Sequence, residues 1–278
     1  MSAALRPSRT TAVLTYVLLA VAAAVLLFPV VFTLVGSFLP KSELVSYPPR
    51  LTSGAWTTAN YEGVVHSVPL LRQYLNSLLV SGLIMVGHLV TATLSAYAFV
   101  FLRVPGRRPL FWLFLSTMMI PWEAIVIPNY LLVVSLGLAS SYPALVLPFL
   151  ANGFGTFLMR QAFLRFPSQL RDAATIDGCG HLRFLLTILV PMSKPVLAAL
   201  AVWAFLSGWN QFLWPLLVSN SSPELYTLQI GINYLRAVDT NQPGQVLAGI
   251  TLALVPTLLL VLVGQRWLVR GFTAGAVK

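Results

Sequence analysis

The stretch Ser168–Pro195 reads SQLRDAATIDGCGHLRFLLTILVPMSKP and is the longest polar interruption late in a chain that is otherwise mostly hydrocarbon. Its local grammar predicts two helices around a corner. Ser168 follows Pro167 and can cap a helix start, because its hydroxyl can accept a first-turn backbone N–H. A short helix is expected over Gln169–Asp177, with Leu170, Ala173, Ala174 and Ile176 as apolar members and Arg171, Asp172 and Asp177 as polar ones. Gly178 can take the left-handed conformation that ends such a helix, and Gly180 loosens the exit. A second helix is expected over His181–Val190, stopped by Pro191 and Pro195. Taken alone, the pattern fits either an amphipathic loop lying on a membrane surface or an elbow shaped to sit in another protein's groove.

What surrounds the elbow is membrane-grade. Of 278 residues, 58% are hydrophobic and 9% charged, and the mean hydropathy is +0.84. No soluble domain of this length covers that much apolar surface. Apolar runs long enough to cross a bilayer, which takes ~20 residues of helix, lie at about 11–36, 74–102, 109–134, 142–163, 195–218 and 245–268. The expected fold is therefore all-α: a single transmembrane domain over residues 1–278 with six spans, the elbow between spans four and five, and a tail at 269–278. The first run continues well past Ala20-Val21-Ala22, which resembles a signal-peptidase site, so it is expected to be a retained span. Ser37–Leu70 and Ser219–Gly244 are expected to be polar loops. Small and polar residues of the second run, including Thr91, Thr93, Ser95, Ala96 and Ala98, suit close helix packing.

Orientation follows from arginine and lysine. With six spans, thirteen basic residues share the side of the N-terminus, the Arg103–Arg108 turn, the elbow and the tail, against Asp172 and Asp177. The other side holds Lys41, Arg50, Arg72 and Arg236, balanced by Glu43, Glu62, Glu224 and Asp239. The positive-inside rule puts both termini and the elbow in the cytoplasm. The net charge of +10 is thus an orientation signal, and no nucleic acid is needed to explain it. Cys179, the lone cysteine, falls on the elbow and is expected to be an inert thiol.

No G-x-x-x-x-G-K-[ST] sequence, nucleophile-elbow serine, metal-ligand spacing or intramembrane proton relay is present. His88 stands alone, which argues against a metal role. A membrane machine without its own engine needs a partner's, and the elbow is the available coupling surface.

The family resemblance agrees. Asp172-Ala173-Ala174, three residues, Gly178, nine residues, then Ile188, Val190 and Pro191 resembles the EAA loop of ABC-importer permeases, which reads E-A-A, three residues, G, nine residues, I-x-L-P. Asp172 stands where Glu is usual and Val190 where Leu is usual. Asn60-Tyr61, the run Gly208–Leu216 and the ending Gln265–Lys278 are similar to the second permease subunit of the carbohydrate uptake group, which includes maltose, oligosaccharide and glycerol-3-phosphate importers. The resemblance implies a multi-pass subunit of the bacterial inner membrane with no catalytic residue, metal or cofactor of its own, ATP and Mg being bound by its partners. Those implied partners are a homologous but different second permease, two ABC ATPase subunits and an extracytoplasmic solute-binding protein, all working at a lipid bilayer. It also implies ATPase coupling through Asp172, Ala173, Ala174, Asp177, Gly178 and Pro191. Tail contact with the ATPases would involve Gly271, Phe272, Thr273 and Gly275, and binding-protein contact would fall within Glu224–Gln245.

Two sets of residues are candidates for the solute pathway. Trp122, Glu123 and Asn129 lie among Pro121 and Pro128 inside the third run. A carboxylate at bilayer depth costs ~2.5–3.5 kcal/mol on insertion scales, so Glu123 faces a cavity, a neighbouring helix or the outer interface. Trp209, Asn210 and Gln211 in the fifth run offer an indole face for a sugar ring and amides for hydroxyls; as alternatives, the tryptophans, Trp214 included, form an interfacial belt and the amides bridge to a second permease. Asn76 and Asn152 read as structural. The readings that compete with a sugar-class ABC importer are an ABC permease for another solute and a gradient-driven transporter or channel with Glu123 as its ion group.

Overall fold

A computed structural model describes residues 9–47, 54–238 and 242–273, with 237–238 and 266–273 as backbone only. No strand occurs among the described residues. In chain order the helices are α1 (Arg9–Gly36), α2 (Lys41–Leu44), α3 (Ala59–Ser67), α4 (Leu70–Phe101), α5 (Arg107–Ser116), α6 (Trp122–Ser135), α7 (Tyr142–Val146), α8 (Gly153–Leu164), α9 (Ser168–Ile176), α10 (His181–Phe184), α11 (Val190–Met192), α12 (Lys194–Trp209), α13 (Leu213–Val218), α14 (Leu228–Val238) and α15 (Pro243–Thr273). A π turn, Leu185–Leu189, joins α10 to α11.

Three helices are each long and apolar enough to cross a membrane: α1, α4 and the Pro243–Gln265 part of α15. Counting each of three bent pairs as one broken span brings the number to as many as six. The pairs are Arg107–Met119 with Trp122–Ser135 at 98°, Tyr142–Phe149 with Gly153–Leu164 at 47°, and His181–Met192 with Lys194–Trp209 at 82°. The breaks have local causes. Ile120, held extended at φ −80° and ψ 116° by the proline after it, ends one helix, and Pro121 at φ −63° and ψ 140° opens the next. Extended Asn152 accepts a hydrogen bond from Phe154 N at 2.7 Å and so starts α8 with its own side chain. The stretch expected as one fifth span, 195–218, is interrupted at residues 210–212, between α12 and α13.

The segment Ser219–Gly244, expected to be a polar loop, instead contains α14. Leu228, Ile230, Ile232 and Leu235 of this helix are buried, while Tyr234 and Arg236 are exposed. Leu228, Ile232 and Leu235, spaced by four and three, give the buried stripe of an amphipathic helix. Ser37–Leu70 likewise contains α2 and α3.

By its contacts the chain divides into two units, the described residues up to Pro69 with Ile232–Leu254, and Leu70–Gly231 with the described residues from Val255 onward. In the first unit, α1 is apolar all round and almost wholly exposed, as a lipid-facing helix is. Its far end is bolted down by the Asn-Tyr pair. Asn60 Nδ2 donates to the carbonyls of Ser37 and Leu39, each at 2.9 Å, and Tyr61 Oη shares a 2.7 Å hydrogen bond with Ser37 Oγ.

The second unit is organised on α4, against which α8 and α12 pack along much of its length. Close approach requires small residues: a Cβ on Gly208 of α12 would lie 3.0 Å from Ser81 Cα of α4. Ser95 and Thr156 hydroxyls meet at 2.7 Å, and Thr91 Oγ1 donates to Leu150 O at 2.7 Å. One core gathers Ala92, Ala96, Tyr97, Met159, Phe163, Leu189 and Leu200; another gathers Val80, Ile84, Val126, Leu145, Trp214 and Val218.

Candidate functional site

Residues 168–195 form a rooted elbow. Pro167, not Ser168, occupies the cap position of α9, so Ser168 is the first helical residue and its hydroxyl makes no capping bond. The glycine corner follows the expected physics. Gly178 sits at φ +68°, Gly178 N donates to Thr175 O at 3.1 Å, and Cys179 N donates to Ala174 O at 2.9 Å. These two bonds are the paired closure of a left-handed helix terminus, which glycine adopts without strain. The second helix runs past Val190: α10, the π turn and α11 continue through Pro191 to Met192, and Ser193 N returns to Leu189 O at 2.9 Å before the chain bends into α12.

One face of the elbow is buried and the other bare. Ala174, Phe184 and Leu185 enter the core formed with α4 and α8. Phe184 packs edge-on against Phe101 at 5.7 Å and Phe166 at 5.8 Å, and Arg171 lies 5.9 Å over the Phe101 ring. A single hydrogen bond, 2.7 Å between Tyr97 Oη and His181 Nδ1, crosses from α4 to α10. On the outer side Asp172, Ala173, Asp177 and Gly178 are exposed, and Ile176 retains 87% of its surface. Pro191 is exposed as well.

A cleft of about 600 Å³ lies within the second unit, walled by α4, the break between α5 and α6, the start of α8, and α12. Of the sequence candidates it takes two. Trp122 lines it, packed on Phe149 at 4.7 Å and edge-on to Trp214 at 5.7 Å; Gln211 lines it with Oε1 buried and without a hydrogen-bond partner. Glu123 is exposed beside Trp122 and outside the cleft wall, and Asn129 is half-buried further along α6. Asn210 is exposed at the break after α12. Trp209 is a core residue, 1% exposed, set between Tyr74 at 5.4 Å and Phe205 at 5.8 Å. Trp214 is equally buried and donates from Nε1 to Ala144 O at 2.9 Å, so it belongs to no interfacial belt.

Sequence reasoning passed over His88. It lines the same cleft, is 4% exposed, stacks at 5.7 Å on Trp203, and leaves Nδ1 buried with no partner. The available signal was a lone imidazole amid an apolar span, where an unsatisfied polar group is expensive. Asn152 lines the cleft too, with its carbonyl oxygen committed to the α8 cap. In the tail, Gly271, Phe272 and Thr273 form the last turn of α15 as backbone, and Gly275 lies outside the described residues.

Residues 88–274 match the family described as binding-protein-dependent transport system inner membrane component. The chain belongs to that family. Among curated relatives, the permease is 37% identical over 268 residues to the sn-glycerol-3-phosphate transport system permease protein UgpE of Agrobacterium fabrum, covering 93% of this chain and 95% of that one. It is 38% identical over 265 residues to its namesake in Rhizobium meliloti, at 92% and 94% coverage. Its fold superposes with a TM-score of 0.81, at 24% identity, on a chain from the crystal structure of a bacterial ABC transporter involved in the import of the acidic polysaccharide alginate, over 96% of this chain and 99% of that one. The protein is thus a multi-pass inner-membrane permease of a binding-protein-dependent ABC importer, and not itself an enzyme. Membership in this family removes the gradient-driven reading built on Glu123.

Proposed function

We propose that this permease pairs with a homologous second permease, two ATPase subunits and a solute-binding protein to import glycerol 3-phosphate or a closely related sugar compound. The observation that carries the solute class is the 37–38% identity, across more than nine-tenths of both chains, to permeases named for sn-glycerol-3-phosphate. Both termini and the elbow lie on the cytoplasmic side in this reading, supported by the one-sided arginines. Asp172, Ala173, Ile176 and Asp177 meet an ATPase subunit, while Ala174 and Phe184 transmit its movement to α4 and α8. Gly271–Thr273 and Gly275 extend the ATPase contact, and the segment containing α14 meets the binding protein.

The cleft bearing Trp122, Gln211 and His88 lies on the solute path. Its aromatic walls suit the apolar face of a polyol, and the unpartnered Gln211 Oε1 and His88 Nδ1 suit hydroxyls. None of its lining residues is lysine or arginine. A phosphate group therefore takes its counter-charge from the second permease or the binding protein.

Reconstitution with the cognate subunits tests the coupling. Proline fixes φ near −65° and cannot occupy the +68° of Gly178. Gly178→Pro is expected to abolish solute-stimulated ATP hydrolysis while membrane insertion persists; normal stimulation refutes the lever. Glycerol 3-phosphate on the binding protein is expected to stimulate the unaltered complex, and stimulation by non-phosphorylated sugars alone overturns the solute class.

A further inference from the structure

We infer a binding site for the phosphate headgroup of an anionic phospholipid at the end of α4 that carries the elbow. A cleft of about 400 Å³ opens there between α4, α5 and α8, and three of its lining residues are Arg107, Arg108 and Arg160. None of the lining residues is acidic. Arg160 projects from a membrane-crossing segment with its guanidinium 4.0 Å above the Phe111 ring, and its Nε is buried without a hydrogen-bond partner. Arg107 stands close enough for its like charge to act on Arg160. Three cations held together with no counter-charge repel one another, and an anion placed between them removes that cost. Arginine's planar fork matches phosphate oxygens in geometry as well as sign.

The start of α5 adds to the same field. Gly106 opens it at φ +67°, no side chain caps it and its first turn has no acid; Arg107 N donates to Val104 O and Pro109 has no N–H, which leaves Arg108 N as the open donor at this positive dipole end.

The surroundings favour a lipid over a soluble ion. Beyond Arg107 and Arg108, α5 is apolar from Pro109 to Leu115, with Trp112 71%, Leu113 66% and Leu110 45% exposed; Leu164 on α8 is 50% exposed. Charge at the helix start followed by bare hydrocarbon is the profile of a headgroup with its acyl chains running alongside, and a basic pocket between membrane helices is a known form of headgroup site.

The test uses the assembled transporter in nanodiscs containing brominated phosphatidylglycerol or brominated phosphatidylcholine, with the Trp112 signal obtained by subtracting Trp112→Phe. The expected result is stronger quenching by phosphatidylglycerol, a preference that falls about tenfold in Arg107→Gln/Arg160→Gln and in part in Arg160→Lys, which keeps the charge and loses the fork. Native mass spectrometry of the same complexes is expected to show one fewer retained anionic lipid in the double variant. Equal quenching by both lipids overturns the proposal. So does loss of the preference on adding inorganic phosphate, which assigns the site to a soluble anion, or crosslinking of Arg108→Cys to the second permease, which makes the cluster a subunit contact.

Discussion

The two ends of α4 are held by different physics. At its start, Asn76 Nδ2 donates to Glu224 O at 2.8 Å and Tyr226 O at 3.0 Å, its Oδ1 accepts from Tyr142 Oη at 2.7 Å, and Ser77 Oγ accepts from Leu228 N at 2.8 Å. Arg72 Nε adds a bond to Glu224 O at 3.0 Å. At its finish, Tyr97 and Phe101 meet the elbow through ring contacts with His181 and Phe184 and one hydrogen bond, and Phe101 also tilts against Phe163 of α8. Hydrogen bonds fix distance and angle, whereas tilted and edge-on rings keep most of their attraction through small slides. The lesson is an anchored helix with one compliant end, and the compliant end is where the elbow is rooted.

The strongest way to break this contrast is Asn76→Leu. It strips the Tyr226 carbonyl and the Tyr142 hydroxyl of their partner and leaves Glu224 O with Arg72 alone, and is expected to cost on the order of 2–4 kcal/mol, read as a fall in the thermal midpoint of the purified complex. Phe101→Leu at the other end is expected to cost less than about 1.5 kcal/mol, because neighbouring rings resettle around a side chain of similar bulk. Should it match Asn76→Leu in the same melting assay, the two ends are equally rigid and the contrast is lost. Smallest in stability is Tyr97→Phe, which removes only the bond to His181 and is expected to cost about 0.6 kcal/mol. Its signature is functional: lower solute-stimulated ATP hydrolysis at unchanged basal hydrolysis. Unchanged stimulation would mean that the rings alone carry the movement.

Much of this architecture is legible in the amino acids, for reasons that also mark the limit. Hydropathy and length find α1 and α15 because a bilayer demands long apolar runs. The corner at Gly178 is readable because its spacing and residue type have one cheap backbone solution. Pro121 signals a break, but the 98° angle is set by what α6 packs against, namely Val80, Trp214 and their neighbours. The α14 helix was in plain view at Leu228, Ile230, Ile232 and Leu235, masked by the polar residues on either side. At the candidate site, Trp122 and Trp209 carry the same indole within similar apolar runs. One lines a cleft and the other is sealed between Tyr74 and Phe205, a difference made by neighbours more than a hundred positions away in the chain for Tyr74. His88 was discounted for lacking companions, because a metal site needs several ligands while a hydrogen-bonding group needs only one open nitrogen.

The π turn at Leu185–Leu189 has a consequence for engineering and for evolution. It accommodates one residue more than regular winding would, and each residue of an α-helix advances the azimuth by about 100°. Excising a single residue there lets the segment relax into ordinary winding, and four α residues sweep ~400°, as the five of the wider π turn do, so Asp172 and its neighbours keep their bearing relative to α12. The chain thus carries one residue of slack, and a lineage can gain or lose that position without turning the elbow against the helix that follows it.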